Sequence, residues 1–162
     1  MIPLTTSKAD EILGLMKDRG LKLSLAESCT GGLIGAELTS VGGSSSYFMG
    51  SAVTYSNESK ERILRVPHRT LLKYGAVSDA VAIRMAAGSK KVYGSDIAAS
   101  VTGIAGPDGG TPEKPVGTVW MAVTDGKRTI AYENHFIGSR DEIREQTKDV
   151  LLDHIIEFVS TM

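Results

Sequence analysis

Apolar residues recur along this chain first at helical spacing and then at alternate positions, and the order of those two patterns predicts its elements. Ala9, Ile12, Leu13 and Met16 share one face of a helix that Ser7 caps and Gly20 ends. Leu21-Lys22-Leu23-Ser24-Leu25 alternates as a strand does, after which Leu33, Ile34, Ala36 and Leu38 return to helical spacing. A Gly/Ser stretch at 41–46 leads into residues 47–55, whose latter half reads as a second strand. Residues 57–64 suit a short helix, Pro67 starts another that runs through Lys73, and 79–92 suit a longer Ala-rich helix ending near Gly94. Residues 96–102 read as a buried strand. Residues 116–123 and 128–136, on either side of Asp125-Gly126, read as an antiparallel hairpin. Ser139 and Glu142 match a capping box before a stripe of Ile143, Thr147, Val150, Leu151, His154, Ile155 and Phe158.

Strands and helices that alternate early, followed by a late hairpin, imply an α/β fold. The expected architecture is a three-layer α/β/α sandwich with a mixed, mostly parallel sheet ending in an antiparallel hairpin. The 162 residues fit a single domain, 1–162, with no linker or repeat inside it. Ligands of such sheets bind beyond the carboxyl ends of the parallel strands. Ser28, Tyr55 and Thr102 each end a predicted strand, so three distant positions can converge on one pocket.

Composition removes several function classes. Basic and acidic side chains number 18 and 19, for a net charge of -1, and there is no basic arm or aromatic and basic cluster, so nucleic acid is not an expected partner. Residues 1–7 lack a basic segment followed by an apolar core, and no apolar run approaches the ~18 residues of a membrane span. A cytoplasmic protein without a membrane partner is expected. Cys29 is the single cysteine, which excludes an internal disulfide and a multi-cysteine zinc site. His68, His135 and His154 share no metal-ligand spacing, so no metal or other cofactor is implied.

The chemistry that remains concentrates at Ala26-Glu27-Ser28-Cys29-Thr30-Gly31-Gly32. Ser28 to Gly32 are expected to cover the corner and the first turn of the next helix, where unpaired N–H groups and the helix dipole stabilise a phosphate or a developing oxyanion. A capped bend with conformationally free glycines is the plainer reading. Cys29, at the same helix start, is a rival nucleophile to Ser28 because the dipole would lower its pKa.

Lys60 falls in the first turn of a helix capped by Ser56 or Asn57, facing the positive end of the dipole. That place, with partial burial, favours the neutral amine that can take a proton from serine, the plainer reading being a solvated lysine in the charged run Lys60-Glu61-Arg62. Ser activated by Lys is a nucleophile and base pair for acyl transfer, with N–H groups at Cys29 to Gly31 as an oxyanion hole. Tyr55 can orient the lysine or relay its proton, and the Thr102 hydroxyl can bond the lysine or the substrate. In the long loop 103–115, Gly106, Gly109 and Gly110 allow backbone N–H groups to approach a ligand. Arg140 either contacts a phosphate or lies in solvent.

Taken together with Val53-Thr54-Tyr55-Ser56-Asn57-Glu58-Ser59-Lys60, Tyr74-Gly75-Ala76-Val77-Ser78, Thr102-Gly103-Ile104-Ala105-Gly106-Pro107-Asp108-Gly109-Gly110 and Lys114-Pro115-Val116-Gly117-Thr118-Val119, the Ser28 block resembles the C-terminal domain of the CinA competence/damage-inducible family. The resemblance implies the same three-layer fold and a Ser/Lys amidohydrolase. Its implied reaction is hydrolysis of the carboxamide of nicotinamide mononucleotide to nicotinic acid mononucleotide and ammonia, in pyridine nucleotide recycling. By position it implies Ser28 as nucleophile, Lys60 as base, and Tyr55 and Thr102 in support. Arg140 is the implied arginine near the last helix, with Arg144 the alternative; the candidate oxyanion or phosphate donors, read from the corner and the loop themselves, are Cys29, Thr30, Gly31, Gly32, Gly106, Gly109 and Gly110. A larger N-terminal domain often precedes this one in the family and has no counterpart in these residues, so the stand-alone form is expected, as a homo-oligomer. A non-catalytic nucleotide-binding or regulatory module on the same fold is the alternative.

Overall fold

The computed structural model describes residues 6–162; residues 1–5, part of the segment read above as carrying no leader, lie outside them. In chain order the elements are α1 (Lys8–Arg19), β1 (Leu23–Glu27), α2 (Leu33–Thr39), β2 (Phe48–Val53), α3 (Asn57–Leu64), α4 (His68–Tyr74), α5 (Asp79–Tyr93), β3 (Ile97–Gly103), β4 (Thr118–Thr124), β5 (Thr129–His135) and α6 (Arg140–Ser160). The five strands form one sheet in the order β2-β1-β3-β4-β5. β1 pairs parallel with β2 and β3, while β4 pairs antiparallel with β3 and β5, so β4 alone runs against the other four. This is the expected mixed sheet ending in a hairpin.

Local signals set the helix ends. Ser7 and Asp10 form a reciprocal capping box on α1, Ser139 and Glu142 form another on α6, and Gly20 and Gly94 close α1 and α5 in the left-handed conformation. At the hairpin, Asp125 Oδ1 accepts from the N–H groups of Lys127 and Arg128 at 2.9 and 2.7 Å, which closes the turn.

Helices cover both sheet faces. On one, α1, α2 and α6 pack Ile12, Met16, Ile34, Leu38, Leu151 and Phe158 against Leu23, Leu25, Val101 and Met121. On the other, α3, α4 and α5 pack Leu64, Leu71, Val81 and Met85 against Ala26 and Ala52. β1 therefore has no solvent face: all five of its residues are buried. Its alternation separates two cores rather than core from water, and Ser24 on the α5 side is satisfied by the Ser89 and Ser95 hydroxyls at 2.8 and 2.7 Å.

Of the boundaries that differ from the sequence reading, those of β1 and β2 position the site. β1 starts and ends two residues later than 21–25, ending at Glu27 beside Ser28. β2 lies earlier than expected, because its pairing with β1 runs out at Glu27 opposite Val53. Thr54 N–H still bonds the Glu27 carbonyl at 2.8 Å, and from there the chain turns toward α3.

Close packing then seats α3. An added Cβ at Gly88 of α5 would stand 2.1 Å from the Leu64 carbonyl oxygen, so only glycine lets the end of α3 lie this near α5. Arg65 leaves α3 in the left-handed conformation, its N–H returning to the Lys60 carbonyl.

Candidate active site

Lys60 is a lysine in the interior, with 1% of its surface exposed. Ser56 caps α3 by accepting from Ser59 N–H at 3.0 Å, and Lys60 N–H bonds the Ser56 carbonyl, so the side chain leaves the first turn toward the end of β1. Its Nζ donates to Ser28 Oγ at 3.0 Å, to Thr54 O at 2.6 Å and to Tyr55 O at 3.3 Å. Burial pushes its pKa down to about 8, against a weaker upward pull from Cys29. A neutral amine keeps both carbonyls with its two N–H groups and turns its lone pair to the serine hydroxyl. The Ser28–Lys60 pair is thus a hydroxyl and a base in direct contact.

The corner itself departs from expectation. α2 begins at Leu33, so Ser28 to Gly32 form a turn that precedes the helix rather than its first turn. The N-terminus of α2 is filled from within: Glu27, fully buried, accepts from Ile34 N–H (3.0 Å), Gly35 N–H (3.1 Å), Thr30 Oγ1 (2.7 Å) and Ser51 Oγ (2.6 Å). Gly31 N–H is taken by the Ser28 carbonyl, and Cys29 N–H has no hydrogen-bond partner among the described residues. The N–H groups of Leu33, Ile34 and Gly35 at the helix end are thus taken, whereas Cys29 N–H, beside Ser28, is bonded to no other described residue.

Cys29 lines the pocket, but burial pushes its thiol up to about 11, despite smaller lowering effects from its backbone N–H, Lys60 and Arg144. A protonated, buried thiol is a poor nucleophile at neutral pH.

Around the pair lies an open cavity of about 240 Å³ whose lining includes Tyr55, Asn57, Thr102, Gly103, Ala105 and Arg140 with Ser28, Cys29 and Lys60. Thr102 gives its proton to the Ala76 carbonyl at 2.9 Å, not to Lys60. Tyr55 touches Lys60 through its backbone carbonyl, while its exposed phenol accepts from Arg140 Nη2 at 3.2 Å. Arg140 Nη1 donates to Gly106 O at 2.6 Å. Among the described residues the lining holds two basic side chains, Lys60 and Arg140, and no carboxylate.

Not every expected residue reaches this cavity. Thr30, Gly31, Gly32, Gly109 and Gly110 lie outside its lining, and Gly106 presents a carbonyl to Arg140 rather than an N–H to a ligand. Gly110 serves packing instead: a Cβ there would stand 2.7 Å from Val116 N. Arg144 also faces away from the cavity, bracing the corner through the carbonyls of Cys29 (3.2 Å) and Thr30 (3.0 Å). Asn57, Ala76, Val77, Gly103 and Ala105 line the wall without having been singled out. Their signal in the sequence is their place in the blocks that carry the resemblance, next to Ser56, Thr102 and Gly75.

The CinA C-terminal domain model matches residues 5–159 of this chain. A CinA-like protein of Citrifermentans bemidjiense is 51% identical over 152 residues, covering 94% of this chain and 37% of the relative. A CinA-like protein of Geobacter sulfurreducens is 53% identical over 139 residues, covering 86% and 34%. The chain spans about a third of the length of these curated relatives. Among solved structures, a CinA superfamily protein from Klebsiella pneumoniae superposes with a TM-score of 0.93 at 30% identity, covering 99% of this chain and 100% of that one. The competence/damage-inducible protein CihA from Agrobacterium tumefaciens does so at 0.89 and 38%, covering 96% and 98%.

Proposed function

This chain belongs to the CinA C-terminal domain family, and we propose that it is an amidohydrolase that converts nicotinamide mononucleotide to nicotinic acid mononucleotide and ammonia. One observation carries the reading: the buried Lys60 amine, its pKa pushed down to about 8, lies 3.0 Å from Ser28 Oγ on the cavity floor. Oxygen becomes nucleophilic when a nearby base accepts its proton, and a lysine that is partly neutral near physiological pH can be that base.

Ser28 Oγ attacks the carboxamide carbon as its proton passes to Lys60. The oxyanion takes a hydrogen bond from the free Cys29 N–H, the donor next to the nucleophile. Lys60 returns the proton to the departing nitrogen, ammonia leaves, and an ester on Ser28 remains. Water then adds to that ester, giving a proton to Lys60; the C–O bond to Ser28 breaks and the proton returns to Ser28 Oγ. Thr102, whose own proton is committed to Ala76, can accept from the carboxamide NH₂. A lining without a carboxylate among the described residues suits a phosphate-bearing substrate, with the Arg140 guanidinium at the mouth as the phosphate partner.

The test is ammonia release from nicotinamide mononucleotide, with nicotinamide riboside and NAD as comparisons. Turnover that disappears in Ser28→Ala supports the reading, and near-native turnover in that variant overturns it. Nucleotide binding without turnover across a broad pH range would favour a regulatory module.

A further inference from the structure

The residue before the nucleophile carries a buried negative charge that the reaction above does not use. Glu27 has 0% exposure, and each of its carboxylate oxygens accepts two hydrogen bonds. Oε1 takes Thr30 Oγ1 and Ile34 N–H; Oε2 takes Gly35 N–H and Ser51 Oγ. These donors come from the corner, from the start of α2 and from β2.

Capping α2 alone does not require this arrangement. A Ser, Thr or Asp at the N-cap would satisfy the same helix end at the surface, without the cost of burying a charge. The N-cap is instead Gly32, which has no side-chain cap bond, and the capping carboxylate stands on the residue bonded to Ser28. The Thr30 bond spans Ser28 from both sides, and Ser51 anchors the same carboxylate to the neighbouring strand.

We infer that Glu27 is a positioning residue for Ser28: its carboxylate locks the 27–30 turn to β2 and α2 so that Ser28 Oγ stays within hydrogen-bond reach of Lys60 Nζ. The inference rests on Ser28 being the nucleophile. Glutamine cannot replace the carboxylate, because in either orientation its NH₂ meets a backbone N–H, that of Ile34 or of Gly35.

The experiment measures the rate at which a fluorophosphonate probe modifies Ser28, followed by peptide mass spectrometry across pH, alongside ammonia release from nicotinamide mononucleotide. Glu27→Gln should slow labelling about 10- to 100-fold, as expected for a nucleophile displaced by up to ~1 Å, with an unchanged pH midpoint. Ser51→Ala, outside the cavity, should slow it less, and the double variant should lose less than the product of the two effects. Native-rate labelling by folded Glu27→Gln overturns the inference, because Glu27 would then only cap α2. A displaced midpoint also overturns it, since the charge would be acting on Lys60 itself. Should Glu27→Gln not fold, Ser51→Ala and Thr30→Val decide: slowed labelling in both supports the inference, and native rates in both overturn it. Labelling of native Ser28 without ammonia release removes only the substrate assignment. Absence of labelling in the native protein removes the nucleophile and this inference together.

Discussion

Arg140 donates to the Tyr55 hydroxyl at 3.2 Å, joining the first turn of α6 to the segment between β2 and α3 across the cavity mouth. Its other partner is a neutral carbonyl, and no Asp or Glu lines the cavity. The guanidinium therefore keeps its charge available for an anionic ligand. Hydrogen bonds to charged groups are worth about 1.5–3 kcal/mol, so Arg140→Ala should raise KM for nicotinamide mononucleotide by about 10- to 150-fold with a much smaller change in kcat. Nicotinamide riboside, which lacks the phosphate, should lose little. Steady-state kinetics on both substrates checks this, and an equal loss on both would remove Arg140 from phosphate recognition.

Cys29→Ala should retain ammonia release within about threefold, since a thiol raised to about 11 contributes almost no thiolate at neutral pH. Iodoacetamide should label native Cys29 slowly at pH 7.5. Loss of activity comparable to that of Ser28→Ala would make the thiol the nucleophile.

The corner explains why part of the site was legible in the sequence and part was not. Ser56, Ser139 and Gly94 act on the chain within a few residues of themselves, so capping and termination could be read directly. Lys60 was legible for the same reason, its place in α3 following from the Ser56 cap. Glu27 was not, because Ser51 meets it only after β2 docks beside β1, and the α2 N–H groups only once the corner has folded back on it. The same limit separates Arg140 from Arg144. Four residues apart on one helix, they share a face, and only the packing of α6 sends one to the cavity and the other to the corner carbonyls. Gly109 and Gly110 looked like ligand donors because a glycine needed for a positive φ, as at Gly109, or for packing, as at Gly110, reads the same as one needed for access.

Gly88→Ala tests how strongly α3 depends on α5. Placing a methyl group 2.1 Å from the Leu64 carbonyl forces the helices apart, and overpacking of this kind costs about 1–3 kcal/mol. Thermal or urea unfolding should register that loss. Because Lys60 stands on the displaced helix, kcat should fall by about 10-fold or more in the protein that remains folded. A destabilised variant with native kcat would mean that α3 moves without carrying Lys60 away from Ser28.

Lys60 links activity and stability to pH in the same direction. Only the neutral amine can accept the Ser28 proton, so kcat/KM should rise about tenfold per pH unit below the Lys60 pKa of about 8 and level off above it. Lys60→Met should lose several orders of magnitude at every pH, by about 10³-fold or more, as with other nucleophile and base pairs. For stability, the folded-state pKa lies below the unfolded value near 10.5, so between about 8 and 10.5 the unfolded chain binds the extra proton. Native stability from this group must therefore increase with pH across that window, and below it the cost of the buried ammonium is present in full. Lys60→Met abolishes the dependence. Urea unfolding of both proteins at pH 7, 9 and 10 should show the difference between them moving in favour of the native protein as pH rises. A difference that stays constant would mean that Lys60 keeps an ordinary pKa in the folded state, and the Ser28 hydroxyl would then lack its base.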